Sequence, residues 1–207
     1  MKKIIIATNN LGKAREFTKM FSELPQNYKI VTLNELKEFP SIIENGKTFS
    51  ENATIKAQNI YDLTHEIVLA DDSGLVVDAL NGEPGIYSAR YARDHDDKAN
   101  NNKLISKIKK IPPDQRIAHF VTSIICISKY GKLEATGTVD GLILTQPQGV
   151  DGFGYDPLFY YPPLKKTFAQ MNLEEKNKIS HRGLAIKQLI KKWPNYIKGD
   201  KNENINL

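Results

Sequence analysis

The sequence predicts an α/β protein in which helices flank one mixed sheet. The chain opens strand, loop, helix, strand, the unit from which α/β folds are built. Its second half reads as long strands joined by a hairpin. Its 207 residues and 23.4 kDa suit one domain, or one domain folded as two lobes.

Residues 3–8 form a short apolar run of the buried-strand type, and NNLGK follows as a turn. A helix is predicted over 14–23, with Phe17, Met20, Phe21 and Leu24 at helical spacing and Pro25 beyond its end. A second strand is predicted over 28–32, then an irregular stretch over 35–47 containing Pro40 and Gly46. The next helix is predicted over 49–65, with Ala53, Ala57, Ile60, Tyr61 and Thr64 on one face and Ser50 as a plausible cap. Residues 66–70 read as a strand running into DDSG. Gly82, Pro84 and Gly85 mark a turn-rich loop, and a helix over 96–111 is closed by Pro112 and Pro113. A strand over 116–129, a turn at Tyr130-Gly131 and a returning strand over 132–144, broken at Gly137 and Gly141, make the hairpin. A glycine-rich loop covers 148–157. The last helix is predicted over 180–193, capped by Ser180 and stopped by Pro194. No internal repeat or linker is visible, so residues 1–207 read as a single unit with a polar, frayed tail from 198.

Composition excludes several classes. Hydrophobic residues at 40% and charged residues at 26% are ordinary for a globular chain and argue against disorder. No uncharged apolar run reaches membrane-spanning length, and the stretch Ile4 to Ala7 is too short for a signal peptide. The single cysteine, Cys126, lies in the apolar run FVTSIICIS; it excludes a disulfide framework and reads as core. A reducing cytoplasm is the expected compartment. The net charge of +5 raises the prior for anionic partners, but lysine far outnumbers arginine along the whole chain. The one dense basic stretch, residues 103–110, interleaves Leu104, Ile105 and Ile108 and reads as a solvated helix face. Nucleic acid and membrane are therefore not expected partners.

Four segments carry chemistry. TNNLGK, after the first strand, lets backbone N–H groups and Lys13 face an anion at a helix start, and reads equally as an ordinary turn. LADDSG places two acids at an expected strand end, where Asp71 and Asp72 point apart, so one can bind a cation; a solvated turn is the alternative. Glu44 and Glu51 lie upstream as further ligand candidates. GVDGFGYDP offers close backbone approach, Phe153 and Tyr155 as stacking surfaces and Asp156 as acceptor, or else a packed loop. EKNKISHRG puts His181 and Arg182 in the first turn of a helix, where cations are unfavourable without an anion beside them. Tyr91, His95 and His119 read as structural. Together the segments describe a phosphate and metal site with an aromatic, donor-bearing pocket, hence a nucleotide site. GxSxG, HExxH and GxGxxG are absent.

On these residues the chain resembles the inosine triphosphate pyrophosphatase family, the XTP/dITP diphosphatases, over nearly its whole length. The resemblance is carried by IIIATNNLGKAREF (4–17), FSENATIKAQ (49–58), LADDSGLVVDALNGEPGIYSARYA (69–92), GFGYDPLFY (152–160), KTFAQM (166–171) and EKNKISHRGLAIKQL (175–189). It implies an elongated central mixed sheet, two lobes with an active-site cleft between them, a homodimer, a purine nucleoside triphosphate as small-molecule substrate, and magnesium as cofactor. By position it implies that Thr8, Asn9, Asn10, Leu11, Gly12 and Lys13 hold the triphosphate and that Lys56 reaches the same cleft. Glu44 and Asp72 would be the magnesium ligands, and Asp72 the acceptor of the attacking water's proton, with Asp71 sharing the base or a supporting role. Ser73 would touch substrate, while Phe153, Gly154, Tyr155, Asp156, Lys176, His181 and Arg182 would contact base, sugar and phosphate. Gln170 stands where the family commonly has glutamate, which puts a local contact in question. Two rivals remain. Maf-type pyrophosphatases share the opening strand and turn, but not SHR or GFGYDP. A binding module without turnover would have no use for Glu44 and Asp72 beside an anion site, since carboxylates repel phosphate.

Overall fold

The computed structural model describes residues 2–21, 28–36 and 42–198. Among the described residues seven strands form one mixed sheet. They are β1 (Lys2–Ile6), β2 (Tyr28–Thr32), β3 (Ile67–Val77), β4 (Ile117–Ser128), β5 (Gly131–Ile143), β6 (Phe159–Tyr161) and β7 (Lys166–Thr167), in the order β2-β1-β3-β4-β5-β6-β7. β1 runs parallel to β2 and β3, and every later pair is antiparallel. The helices are α1 (Leu11–Phe21), α2 (Phe49–Thr64), α3 (Asp97–Ile108), α4 (Leu173–Ile179) and α5 (His181–Lys198).

Strand alternation sorts the core onto two faces. Ile4, Ile6, Leu69, Ile124 and Cys126 point to the face where Phe17, Ala185, Ile186, Leu189 and Trp193 of α1 and α5 pack. Ile5, Ala7, Val68, Ala70, Ile125 and Ile127 point to the other, against Ala53, Ala57 and Ile60 of α2. A third cluster gathers Leu75, Val77 and Phe120 with Leu104 and Ile108 of α3 and Phe159 and Phe168. Cys126 is fully buried among apolar neighbours, and burial pushes its thiol pKa up to about 12.

Several expected boundaries move. β3 does not end at residue 70 but runs to Val77, pairing with β4 from Val68 to Val77. The two acids therefore sit inside a strand. β5 is unbroken: Gly137 lets α5 lie directly on it, since a Cβ there would fall 2.0 Å from the His181 carbonyl oxygen. Gly141 lies under Phe159 in the same way. α1 starts at Leu11 rather than 14, with Asn10 Oδ1 accepting from Lys13 N at 3.0 Å; Leu24, Pro25 and Pro40 lie outside the described residues. Thr48, not Ser50, caps α2, and Ser50 instead donates to Glu134 at 2.6 Å. A short α4, which periodicity did not reveal, ends at Ser180, and Ser180 caps α5 as expected, its Oγ accepting from Gly183 N at 3.1 Å.

Pro194 does not stop α5, which continues to Lys198. A proline inside a helix costs roughly 3 kcal/mol. The buried Trp193 and Tyr196 offset it: Trp193 packs edge-on to Phe21, and the Tyr196 hydroxyl bonds Ser128 at 2.6 Å and the Gly131 carbonyl at 2.8 Å. The tail expected to fray, 199–207, lies outside the described residues. At Gln170 the contact is intact, because Oε1 accepts from Thr167 N at 2.8 Å and closes a capping box as glutamate would.

His119 ties three strands together. Its Nδ1 lies 2.8 Å from Asp140 of β5, and its Nε2 lies 3.1 Å from Asp78, just beyond β3. Partial burial pulls its pKa down, but the hydrogen bond to Asp140 and the charges of Asp78 and Asp140 outweigh this and raise it. A raised folded-state pKa gives stability that is full below the unfolded value, about 6.5, and is lost as pH climbs through the folded value. The melting-temperature gap between wild type and His119→Gln is therefore expected to be widest near pH 5.5 and to close by pH 8.5. A gap independent of pH would contradict the ion pairs.

Candidate active site

A cleft of about 520 Å³ opens beside the exposed edge of β3. It exists because β1 pairs with β3 only as far as Leu69, leaving the rest of that edge without a strand partner on the β1 side. Ser73 N on this edge is satisfied by Asp72 Oδ1 at 3.0 Å, and Leu75 N by Ser88 Oγ at 2.9 Å. Gly74 permits the close approach of the Gly85–Arg90 segment, whose Gly85 carbonyl would meet a Cβ at 2.3 Å.

In the cleft the β1–α1 turn presents Thr8, Asn9, Asn10 and Lys13. Glu44, Lys56, Asp72 and Ser73 adjoin them. Phe153, Gly154, Tyr155, Asp156, Lys176, His181 and Arg182 complete the lining, with Phe153 packed on Gly12 of the same turn and Arg182 sharing Asp71 with Lys13. Three expected contacts do not line the cleft: Leu11, Gly12 and Asp71. Leu11 is 61% exposed on the outer face of α1. Gly12 lies behind Phe153, whose ring would be 2.4 Å from a Cβ there, so its lack of a side chain seats that ring. Glu51 is also no ligand: it is exposed, and its carboxylate accepts from Lys47 N at 2.6 Å. His95, read as structural, stands exposed on the cleft rim.

The two adjacent acids have opposite fates because strand neighbours face opposite sides. Asp71 points toward α1 and α5 and is fully buried; Lys13 lies 3.0 Å away, and Arg182 donates to it from Nε at 3.3 Å and Nη2 at 3.2 Å. Burial alone would raise its pKa, but Lys13 and Arg182 hold it well below the usual carboxylate range. Asp72 points toward α2 and the cleft. Asn52 Nδ2 donates to its Oδ2 at 3.0 Å, and Lys56 Nζ lies 3.7 Å from its Oδ1. Burial outweighs these partners and raises its pKa. Of the pair, Asp72 is the one suited to take up a proton.

Lys56 also lies 2.9 Å from Glu44. Burial opposes its charge, yet Asp72 and Glu44 outweigh it and keep the ammonium protonated. The Glu44–Asp72 pair thus already surrounds a cation. Its donors are all hard oxygens, which suits a divalent ion that keeps several waters and takes further ligands from phosphate. Among the described residues no group of three metal-binding side chains exists. Among the described residues, the protein side of such a site would be this pair.

Behind the cleft runs a buried chain of alternating charge: Lys13, Asp71, Arg182, Glu16, Lys176, Asp156. Lys176 lies 2.9 Å from Glu16 and 2.6 Å from Asp156, and Arg182 donates from Nη1 to Glu16. Burial pulls the Lys176 pKa down, but Asp156 and Glu16 raise it overall. This resolves the local conflict of cations at the start of α5, because Glu16 and Asp71 supply the missing anions. Glu16 escaped the sequence reading. Its signal was an acid on the buried stripe of α1, one turn after Lys13 and next to Phe17. The Phe153 loop is pinned from both sides: Phe153 N donates to Asp156 at 2.9 Å, Gly154 N donates to Asp97 at 2.7 Å, and Asn101 Nδ2 donates to the Gly154 carbonyl at 2.9 Å. Lys176 Nζ sits 4.6 Å from the Phe153 ring centre. Tyr155 is mostly core, its hydroxyl donating to the Ser88 carbonyl at 2.9 Å. His181 stacks on Phe120 at 4.8 Å, and its buried Nδ1 has no hydrogen-bond partner among the described residues. Burial, with Arg182 and Lys176 nearby, lowers its pKa well below the ordinary value, so the ring is neutral.

Known proteins are similar to this chain over most of its length. The dITP/XTP pyrophosphatase of Leuconostoc mesenteroides is 49% identical, over 96% of this chain and 100% of its own. That of Lactobacillus acidophilus is 48% identical over 93% and 98%. The solved Ham1 protein of Staphylococcus aureus superposes with a TM-score of 0.82 at 42% identity, covering 97% of this chain and 100% of that one. The HAM1 protein of Coxiella burnetii gives 0.83 at 36%, covering 94% and 100%. The Ham1 family model matches residues 4–192, which span every segment of the cleft, and the chain belongs to the Ham1 family.

Proposed function

We propose that this protein hydrolyses non-canonical purine nucleoside triphosphates, dITP, ITP and XTP, to the monophosphate and pyrophosphate, with magnesium as cofactor. One observation carries the reading: an anion-binding helix start with Lys13 lies beside the Glu44–Asp72 pair, and both share a cleft with the Phe153 loop and His181. The dITP/XTP pyrophosphatase names of its relatives support the substrate class.

In this mechanism the Thr8–Asn10 turn at the start of α1 receives the triphosphate, and Lys13 balances its charge. Burial lowers the Lys13 pKa against the pull of Asp71, so the lysine gains from an anion arriving in the cleft. Glu44 and Asp72 would hold the divalent ion, which when bound neutralises triphosphate charge and polarises the phosphorus. Asp72, which faces the cleft, takes the proton of the attacking water. Asp71 is a counter-ion that aligns Lys13 and Arg182. Phe153 stacks on the base, and the neutral His181 donates to the C6 carbonyl from one nitrogen. A binding module is disfavoured because Glu44 and Asp72 would repel the anion it binds.

Phosphorus NMR of the products tests the reading. ITP is expected to give IMP and pyrophosphate in one step. IDP and orthophosphate as first products would sink it. We further read the protein as a single two-lobed catalytic domain that acts as a cytoplasmic homodimer. Sedimentation is expected at roughly twice 23.4 kDa, and a monomer at working concentration would refute the dimer. Among the described residues no helix is long and apolar enough to cross a membrane.

A further inference from the structure

We propose that Asn52 is a positioning residue that sets the separation of the Glu44 and Asp72 carboxylates. The inference rests on the reading above, in which that pair holds the divalent ion. Asn52 lies in the second turn of α2 and is 1% exposed. It does not line the cleft. Its amide is used at both ends. Nδ2 donates to Asp72 Oδ2 at 3.0 Å, and Oδ1 accepts from Gly46 N at 2.8 Å. The orientation is forced, since the backbone N–H can only donate and an ionised carboxylate can only accept. One short amide therefore fixes the Asp72 carboxylate and, two residues from Glu44, the backbone that carries the other acid.

Gly46 is shaped to this contact. A Cβ on it would lie 2.7 Å from Asn52 Oδ1 and 2.9 Å from Asn52 N. Contacts that short are not tolerated, so the bare glycine is what lets the Glu44 segment close on the amide. One helical turn on, Lys56 touches both carboxylates, at 2.9 Å for Glu44 and 3.7 Å for Asp72. Lys56 supplies charge from a flexible stem, which cannot set a distance. Asn52 and Lys56 thus divide the work along one face of α2: the lysine neutralises, and the asparagine spaces.

The test uses Mn²⁺ alone, with the nucleotide-free full chain, and reads free Mn²⁺ by electron paramagnetic resonance. Asn52→Ala is expected to weaken Mn²⁺ binding about 10–100-fold, the usual effect of losing a partner of a metal ligand. Gly46→Ala, a loop change that keeps the Asn52 side chain but forces the loop off it, should weaken it in the same direction and guards against a folding failure of the first variant. Ser50→Ala removes the 2.6 Å bond to Glu134 from the same end of α2 and should bind Mn²⁺ as wild type does. With ITP, Asn52→Ala should need more magnesium for half-maximal rate and lose kcat, while KM at saturating magnesium barely moves. Wild-type Mn²⁺ affinity in folded Asn52→Ala and Gly46→Ala, or an equal loss in Ser50→Ala, would overturn the proposal. If wild type fails to release pyrophosphate while the Mn²⁺ differences stand, the proposed substrate is wrong and the role of Asn52 holds.

Discussion

Asp72→Asn is expected to lower kcat for ITP by at least about two orders of magnitude, the scale of general-base catalysis. The change is isosteric, but the site is not neutral toward it. Asp72 accepts from two fixed donors, Asn52 Nδ2 on one oxygen and Ser73 N on the other. An asparagine amide can face only one of them with its oxygen. The other meets an N–H group, a buried mismatch that costs roughly 1–3 kcal/mol. The variant should therefore fold, with a lowered melting temperature, and still fail to turn over. Circular dichroism establishes folding, and pyrophosphate release measures the rate. The matched change Glu44→Gln should keep more of kcat and chiefly raise the magnesium requirement, because Glu44 is partly exposed and pairs with Lys56. A folded Asp72→Asn protein that turns over at the wild-type rate would remove Asp72 from the mechanism.

What the sequence made legible, and what it did not, divides along a physical line. Local rules reached the turn after β1, the stripe of α2 and the hairpin, because turn chemistry and periodicity are written in neighbouring residues. They also pointed Asp71 and Asp72 in different directions by strand alternation, while leaving open which of the two is the base. They misplaced the end of β3, because Asp71 and Asp72 look like a strand terminus until the cations opposite them are known. Those cations come from residues 13, 56 and 182, far away in sequence. Glu16 stayed hidden for the same reason: its partners Lys176 and Arg182 reach it only when α4 and α5 dock on α1. Pro194 misled in the opposite sense, a strong local stop overruled by the packing of Trp193 and Tyr196. Gly137 looked like a strand break because its purpose, contact with the start of α5, lies on another element.

Arg182→Ala is expected to separate the protein's stability from its choice of base. The residue is 1% exposed, and four of its hydrogen bonds are spent on Asp71, Glu16 and Ser73. A guanidinium has five N–H groups, so one is left for a ligand. Direct reading of the C6 carbonyl then falls on that one group and on His181. Removing Arg182 leaves Glu16 and Asp71 buried with one cation each, Lys176 and Lys13. Breaking a buried ion pair from one side typically costs about 3–5 kcal/mol, read as a drop in the urea midpoint. Adding Glu16→Gln should return part of that loss, since the stranded negative charge goes with it. Recognition should not return. Inosine and xanthosine offer an acceptor at C6 where adenosine offers a donor, and a pocket built to donate there rejects the mismatch by unpaired buried groups. In both the single and the double variant kcat/KM for ITP should fall far more than for ATP, flattening their ratio. A urea midpoint that barely moves in Arg182→Ala would show that the buried charge chain contributes little to stability. An unchanged ITP/ATP ratio would assign the choice of base to His181 and the Phe153 loop instead.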